Sequence, residues 1–292
     1  MNVDVIIPTR DRPDLTDEAV RSVLNQTHTN LRVLVVDDAS SGPALHSITD
    51  TRVDLIRRSI QGGPQAARQS GLESSDAPFV ALLDSDDLWK PSKLESQLTR
   101  LVSGDNVQAV LTWHQWTHGH DVLSIVRPHG PTRPNMTNNM SSPVFTRESL
   151  DSVGGFYPPG TPVLPTMEHV EFWVRYTACS EVAVIPQVLT ICRSHTGTRE
   201  SDFSGSAAAA AAVVYVVEAH KDSLANHPDY LAELFVKAGA RYLDIGDRPH
   251  GTHYLARGLK CAPRDTRGKL LRKYGPFTAR RYFSSFLTKS PR

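Results

Sequence analysis

Cysteine is scarce in this chain. Its three cysteines, Cys179, Cys192 and Cys261, are odd in number and show neither zinc-ligand nor redox spacing. A disulfide framework is therefore excluded as an organising principle, and a reducing compartment is expected. No apolar run approaches the roughly 20 residues that a bilayer span requires. The chain opens on a strand-like run at residues 3–7, without the basic region and longer apolar core of a secretory leader. The expectation is a cytoplasmic location, either in the bulk or peripheral at the inner membrane face. A charge excess is also missing. Thirty-two Lys and Arg stand against 31 Asp and Glu, so the overall balance points to neither nucleic acid nor membrane. Disorder is excluded by composition, with 39% hydrophobic and 22% charged residues. A length of 292 residues suits one large domain or a domain with an appendage.

What is present is an alternation of strand and helix patterns. Residues 3–7 read as a buried strand ended by Pro8, and 31–36, 53–56 and 79–83 as further strands. Leu15, Ala19, Val23 and Gln26 space out a helix face. Residues 64–72 read as a helix with Pro64 in its first turn, where the missing N–H costs little. Residues 91–101 read as another helix. Strands alternating with helices predict a mostly parallel sheet covered on both faces.

The middle of the chain is less regular. Strands are expected at 109–113 and 123–126 around a His/Gly-rich turn, then a Pro/Asn-rich loop over 127–139. A short strand at 144–145 and a helix at 147–153 end at Gly154 and Gly155, and a Pro-rich loop follows over 157–165. A helix over 168–179 and a strand over 182–191 complete this part. From Ser206 onward every pattern is helical, and 230–262 resembles one helical hairpin of the tetratricopeptide kind. A boundary near residue 204 divides an α/β domain, 1–204, from an all-α accessory region, 205–292. The last segment is basic: from Arg264 to Arg292 nine Lys and Arg face the single acid Asp265. That favours an anionic partner or a membrane face, with a solvated helical surface as the plain alternative.

The segment Leu82-Leu83-Asp84-Ser85-Asp86-Asp87 carries the most chemistry. Three carboxylates follow an apolar strand directly, at the strand end where open α/β sheets bind ligands. Carboxylates two apart can meet one hard cation, magnesium or manganese, which can bridge to a diphosphate. A solvated acidic turn capping the next helix is the plain alternative. A dehalogenase-like phosphatase also places Asp-x-Asp after a strand, but on the first strand and followed by Thr or Val, whereas Leu88-Trp89 follow here. Val35-Val36-Asp37-Asp38 is similar to the acidic pocket of a receiver domain, which leaves Asp84 to Asp87 without a role.

Order and context separate these. Val5-Ile6-Ile7-Pro8-Thr9-Arg10-Asp11-Arg12, Val35 to Ser40, Gly62-Gly63-Pro64-Gln65-Ala66-Ala67-Arg68 and Leu82 to Asp87 come in that sequence, each after a strand or opening a helix. Together they resemble the family 2 glycosyltransferases, an inverting group of GT-A fold that uses nucleotide-diphosphate sugars. Three downstream segments also resemble the family: Val153-Gly154-Gly155-Phe156, the Glu168-to-Arg175 helix, and Arg193-Ser194-His195 with Ser201. The resemblance covers roughly the first 200 residues. It implies a GT-A sheet flanked by helices, a nucleotide-sugar donor, a divalent metal, and a glycan, lipid-linked or small-molecule acceptor. No nucleic-acid partner is implied.

The resemblance also assigns roles. Pro8, Thr9 and Arg10 line the nucleotide, and Asp38, with Asp37, accepts a hydrogen bond from the base. Gly63 and Arg68 lie against ribose and phosphate. Asp84, with Ser85, meets ribose or metal-bound water; Asp84, Asp86 and His195 form the metal set. Chemistry agrees in outline, since a carboxylate suits a pyrimidine N–H, Arg68 suits phosphate, and a helix N-terminus after Gly62-Gly63 suits an anion. UDP- or dTDP-sugars are favoured as donors. Trp113 and Trp116 are candidates for sugar stacking or for the core. Phe172 and Trp173 read as core, and Trp89 as core or metal shield. His114, His118 and His120 are a metal candidate or a solvated turn. One departure stands out: the family's acidic pair, whose second member is the base, is Glu168-His169 here. Histidine can serve as a base near neutral pH. The other possibilities are that Glu168 serves, or that the protein is a silent sugar-nucleotide-binding module.

Overall fold

The computed structural model describes residues 1–128, 139–194, 206–270 and 272–274. His195, Ser201 and the chain beyond residue 274 therefore lie outside the described residues. The described chain divides into two compact units, Met1–Val163 with Arg175–Thr196, and Leu164–Val174 with Gly197–Arg292.

The first unit is built on β1 (Val3–Thr9), β2 (Leu31–Asp37), β3 (Val53–Arg57) and β4 (Phe79–Leu82), with α1 (Pro13–Leu24) and α2 (Gly63–Glu73) between them. These four strands pair in parallel in the order β3-β2-β1-β4. Every residue of β1 is buried. Val3, Val5 and Ile7 pack with Ala19, Val20 and Val23 of α1 on one face. Ile6 points the other way, to Gly71 of α2, where an added Cβ would come within 2.5 Å of Ile6 Cγ2. This two-sided burial is why the strand reads as a nearly unbroken apolar run. The one charge inside it, Asp4, is bidentately paired with its ladder partner Arg32, at 3.2 and 2.7 Å.

β1 does not stop at Pro8, as the sequence suggested, but runs to Thr9. Ile6 turns its carbonyl to β4, accepting from Leu83 N at 3.1 Å, and Pro8 has the same parity. The β1–β4 ladder ends at Ile6–Leu82, so the N–H that proline lacks had no partner to meet.

The second half of the sheet holds β5 (Leu88–Trp89), β6 (Ala109–His118), β7 (Asp121–Val126), β8 (Val144–Thr146) and β9 (Val182–Arg193), in the order β4-β8-β6-β9-β5 with β7 on β6. Strands β1, β2, β3, β4, β6 and β9 share one direction, and β5, β7 and β8 run against it. The expected mostly parallel α/β sheet is therefore present. Helix α3 (Lys93–Leu101) follows β5, and α4 (Arg147–Ser152) follows β8. The strand expected over 109–113 extends to His118, which corrects the placement of His114. It lies inside β6, buried, and burial pushes its imidazole down to about 4. Only His118, at the strand's end, and His120 belong to the exposed turn. Among the described residues no group of three His, Cys, Asp or Glu could hold a metal by itself.

The second unit contains α6 (Ala207–Ala219), α7 (Lys221–Ala225), α8 (Pro228–Asp244) and α9 (Arg248–Cys261), so the C-terminal region is helical as expected. It also contains residues 164–174, which include the first seven residues of α5 (Glu168–Thr177). Helices α8 and α9 approach closely at glycines: a Cβ on Gly239 would lie 2.8 Å from the Gly251 carbonyl. Phe172 and Trp173 are buried in edge-to-face contact, centroids 5.4 Å apart, as core residues are. Among the described residues no helix is long and apolar enough to cross a membrane.

Candidate active site

In the first unit the carboxyl ends of β1, β2 and β4 come out on one edge of the sheet, because the three strands are parallel neighbours. The chain leaves β1 toward β2 on one side, while β4 lies on the other. This is the switch point at which open α/β sheets leave a crevice. Thr9, Asp37, Asp38 and Asp84 to Asp87 all sit on this edge.

Beyond β2, Asp37 and Asp38 are both buried. Asp37 accepts from the N–H of Ser40 at 3.1 Å and from its hydroxyl, and lies 3.2 Å from Arg57 Nε. Asp38 reaches across to the start of α2. Its Oδ1 accepts from Arg58 Nε and Gly62 N, both at 2.9 Å, and its Oδ2 from Gly63 N at 2.8 Å. Helix α2 has no side-chain cap of its own, so Asp38 supplies the carboxylate that its positive end favours. Gly63 has φ +79°, and an added Cβ would meet nothing within 4 Å. Its glycine is therefore required by the backbone, not by space.

Beyond β4, the acids are met by arginines. Arg68 of α2 is buried and donates from Nη2 to Asp84 Oδ1 at 2.6 Å. Arg12, just before α1, donates from Nη1 to Asp86 Oδ2 at 3.1 Å. Arg193, at the end of β9, donates from Nε to the Asp86 carbonyl at 2.6 Å and forms an ion pair with Glu18. Asp87 is buried and accepts from Ser141 Oγ at 2.6 Å. Burial first, then the charges of Asp86 and Asp84, raise its carboxyl above the ordinary range. Ser85 is buried between them. Ser141 also accepts from Asp84 N at 3.0 Å, and its carbonyl accepts from Trp89 Nε1 at 2.7 Å. Trp89 is thus a buried support for the acidic turn.

The oxygen ligands of the acidic turn are of the kind that a hard divalent cation takes. Asp84 and Asp86 keep 32% and 22% of their side chains exposed, so both can present oxygen to a ligand. Each of the two is already paired with a guanidinium, so a cation there would share these carboxylates with Arg68 and Arg12. Magnesium and manganese commonly take one or two protein carboxylates and complete their shell with water and phosphate oxygens, so no larger protein cage is needed.

The structure brings Asp37, Asp38, Gly63, Arg68, Asp84, Ser85 and Asp86 together around one strand edge. Pro8 and Thr9 are buried there, with Thr9 Oγ1 2.6 Å from Thr16 Oγ1. Arg10 is exposed and lies 3.5 Å from Asp11. Arg12, two residues on, faces the acids instead, through Asp86. Arg12, Arg58 and Ser141 are the site residues that the sequence did not single out. Arg12 lies inside a segment that did stand out, whereas Arg58 and Ser141 carry no local signal.

Glu168 and His169 open α5 in the second unit. Glu168 is buried, His169 is 35% exposed, and Glu168 Oε1 lies 3.4 Å from His169 Nδ1. The preceding residue, Met167, is left-handed, with φ +77°.

The family model for Glycosyl transferase family 2 matches residues 4–149, half of the chain. The chain belongs to this family. Among its relatives is the Escherichia coli UDP-Glc:alpha-D-GlcNAc-diphosphoundecaprenol beta-1,3-glucosyltransferase WfgD, 32% identical over 106 residues, 35% of this chain and 42% of the relative. Another is the Rhizobium meliloti succinoglycan biosynthesis protein ExoW, 38% identical over 99 residues, 31% of each chain. The matches thus span less than half of these relatives. The crystal structure of S. aureus TarS 1-349 in complex with UDP-GlcNAc superposes with a TM-score of 0.63 at 16% identity, over 91% of this chain and 83% of that one. At that identity the likeness speaks to the fold, which is the GT-A architecture.

Proposed function

We propose that this protein is an inverting glycosyltransferase that moves a sugar from a nucleotide-diphosphate donor to a hydroxyl acceptor with the help of a divalent metal. The observation that carries the proposal is the acidic turn after β4, placed beside Arg12 and Arg68 at the carboxyl edge of a family 2 sheet. A carboxylate pair flanked by guanidinium groups is suited to a metal–diphosphate unit, in which positive and negative charges alternate. A UDP- or dTDP-sugar is favoured as donor, and the UDP-Glc in the name of WfgD supports the first. Its lipid diphosphate acceptor supports a lipid-linked or polysaccharide acceptor here, and the basic C-terminal segment suits an anionic one.

Asp38 and Asp37 take the base end, where a carboxylate accepts from a pyrimidine N–H. Gly63 and Arg68 take ribose and phosphate. Asp84 and Asp86 would hold the metal, with His195 as a further ligand. When bound, the metal supplies neutralisation of the leaving diphosphate. The acceptor oxygen forms its bond to the anomeric carbon on the face opposite the breaking sugar–phosphate bond. Its proton passes to the Glu168–His169 pair. With Nδ1 on the Glu168 side, Nε2 of His169 is the nitrogen left to receive it.

Incubation with a panel of nucleotide sugars and manganese tests the proposal. Release of nucleotide diphosphate from one of them is the expected result. Binding without turnover would instead indicate a silent sugar-nucleotide module, and phosphate release from simple esters a phosphatase.

A further inference from the structure

Residues 166–171, which carry the proposed base pair, are held from three sides within the second unit. Arg241 of α8 donates from Nη1 to Thr166 Oγ1 at 3.1 Å and to the Ala209 carbonyl in α6 at 2.7 Å. One turn earlier on α8, Lys237 Nζ lies 3.5 Å from Met167 Sδ. His220, which ends α6, places Nε2 3.1 Å from Glu171 Oε1. Between these fixed points the backbone passes through Met167, whose φ of +77° is unfavourable for an unbranched L-residue and persists only where its surroundings enforce it. Met167 is also buried, and its carbonyl accepts the Glu171 N–H at 2.9 Å as α5 begins. Two hydrogen bonds of one guanidinium thus tie α8, α6 and the turn before α5 together. Arg241 is itself only partly exposed. A cation drawn partly out of water is a costly way to hold a turn unless geometry is what it supplies.

We propose that Arg241 is a positioning residue for the Glu168–His169 pair, so that α6 and α8 belong to the catalytic element and are not an accessory. The proposal rests on the assignment of that pair as the base. The hydrogen bonds of Arg241 go to Thr166 and Ala209, not to the pair itself. Arg241 fixes the strained turn from which Glu168 and His169 emerge, and Lys237 and His220 hold the turn's two flanks.

The test uses the full chain with Arg241→Met, which keeps the stem and removes the donors, and Arg241→Lys, which keeps one cationic donor. Two readouts are taken: hydrogen–deuterium exchange of peptides covering 164–174, and kcat and donor KM for nucleotide-diphosphate release. Expected for Arg241→Met is exchange over 164–174 at least tenfold faster, with the peptides of β1 and α2 unchanged. Its kcat should fall about 10- to 100-fold, the cost of a misplacement on the order of 1 Å, while donor KM changes less than about threefold. Arg241→Lys should restore part of both. Unchanged exchange over 164–174 in a folded Arg241→Met protein would overturn the proposal. So would faster exchange with an undiminished kcat, or equal losses in kcat and donor affinity. If Arg241→Met fails to fold, Arg241→Lys decides by the same split between exchange and KM. If the native protein turns over no donor, the functional assignment falls alone, and the exchange measurement still decides whether Arg241 holds the turn.

Discussion

Removal of the Asp38 carboxylate is expected to weaken the fold as well as the nucleotide pocket. Asp38 has 6% of its side chain exposed and its partner Arg58 has 23%, so the pair is largely out of water. Asp38→Ala strands the Arg58 guanidinium beside the N–H groups of Gly62 and Gly63, which lose their acceptor. Hydrogen bonds to a charged group contribute about 1.5–3 kcal/mol each, and removing one partner of a buried pair costs about 3–5 kcal/mol. These terms overlap, because one carboxylate makes all the contacts, and Arg58 retains Ala66 O as an acceptor at 3.1 Å. A net loss of about 3 kcal/mol follows, which for a chain of this size is a midpoint shift of roughly 5 °C. Urea unfolding measures it, and calorimetric titration with UDP and with uridine, well below the midpoint, measures the pocket. Both ligands should weaken alike, since Asp38 is assigned to the base. Asp38→Asn should fall between, as one oxygen remains to accept. A stability change under 1 kcal/mol would refute the capping role, and a loss for UDP without a loss for uridine would refute the assignment to the base.

Other outcomes follow from the same geometry. Arg68→Ala should weaken UDP far more than uridine, measured by the same titrations, because Arg68, which meets Asp84, is assigned to the phosphate end; equal losses would contradict that division. His169→Ala should lower transfer on the order of 10²–10⁴-fold, the usual worth of a positioned base, with His169→Asp retaining substantial activity. A nearly silent His169→Ala beside an inactive Glu168→Gln would make Glu168 the base. Burial, with Arg241 nearby, pushes Lys237 down from 10.5 to about 8. Below pH 8 both folded and unfolded chains carry its proton, and the folded state bears the full burial cost. As pH rises from 8 toward 10.5 the folded state releases the proton first, so this cost fades and stability rises. Lys237→Met should therefore stabilise the protein at pH 7 by on the order of 1–3 kcal/mol, and by much less at pH 10; thermal unfolding at the two values checks this, and an equal gain at both would contradict it.

The strands that build the site edge could be read from the sequence because both of their faces are buried. The run at 79–83 is apolar throughout, and those at 3–7 and 31–36 are apolar except for Asp4 and Arg32, which pair with each other; site residues follow each run. Gly62-Gly63-Pro64 marked the start of α2 for the same local reason. What could not be read is which arginine meets which acid. Arg12 and Asp86 are 74 residues apart, Arg58 and Asp38 are 20 apart, and Ser141 and Asp87 are 54 apart. These pairings are fixed by the order of strands in the sheet, which no local pattern encodes. β6 was read too short because its second half, from His114 to His118, is polar in sequence. There the ladder with β9 and the burial of His114 and Thr117 override the local preference. β5 has only two residues, too few to show a period.

Metal-dependent donor binding at the acidic turn is the central claim, and one titration tests it most directly. UDP is added to the native protein and to Asp86→Asn, each in manganese and again after chelation. Tight binding confined to the native protein in manganese is the predicted result. Equal affinity in chelator, with Asp86→Asn indistinguishable from the native protein, would contradict it.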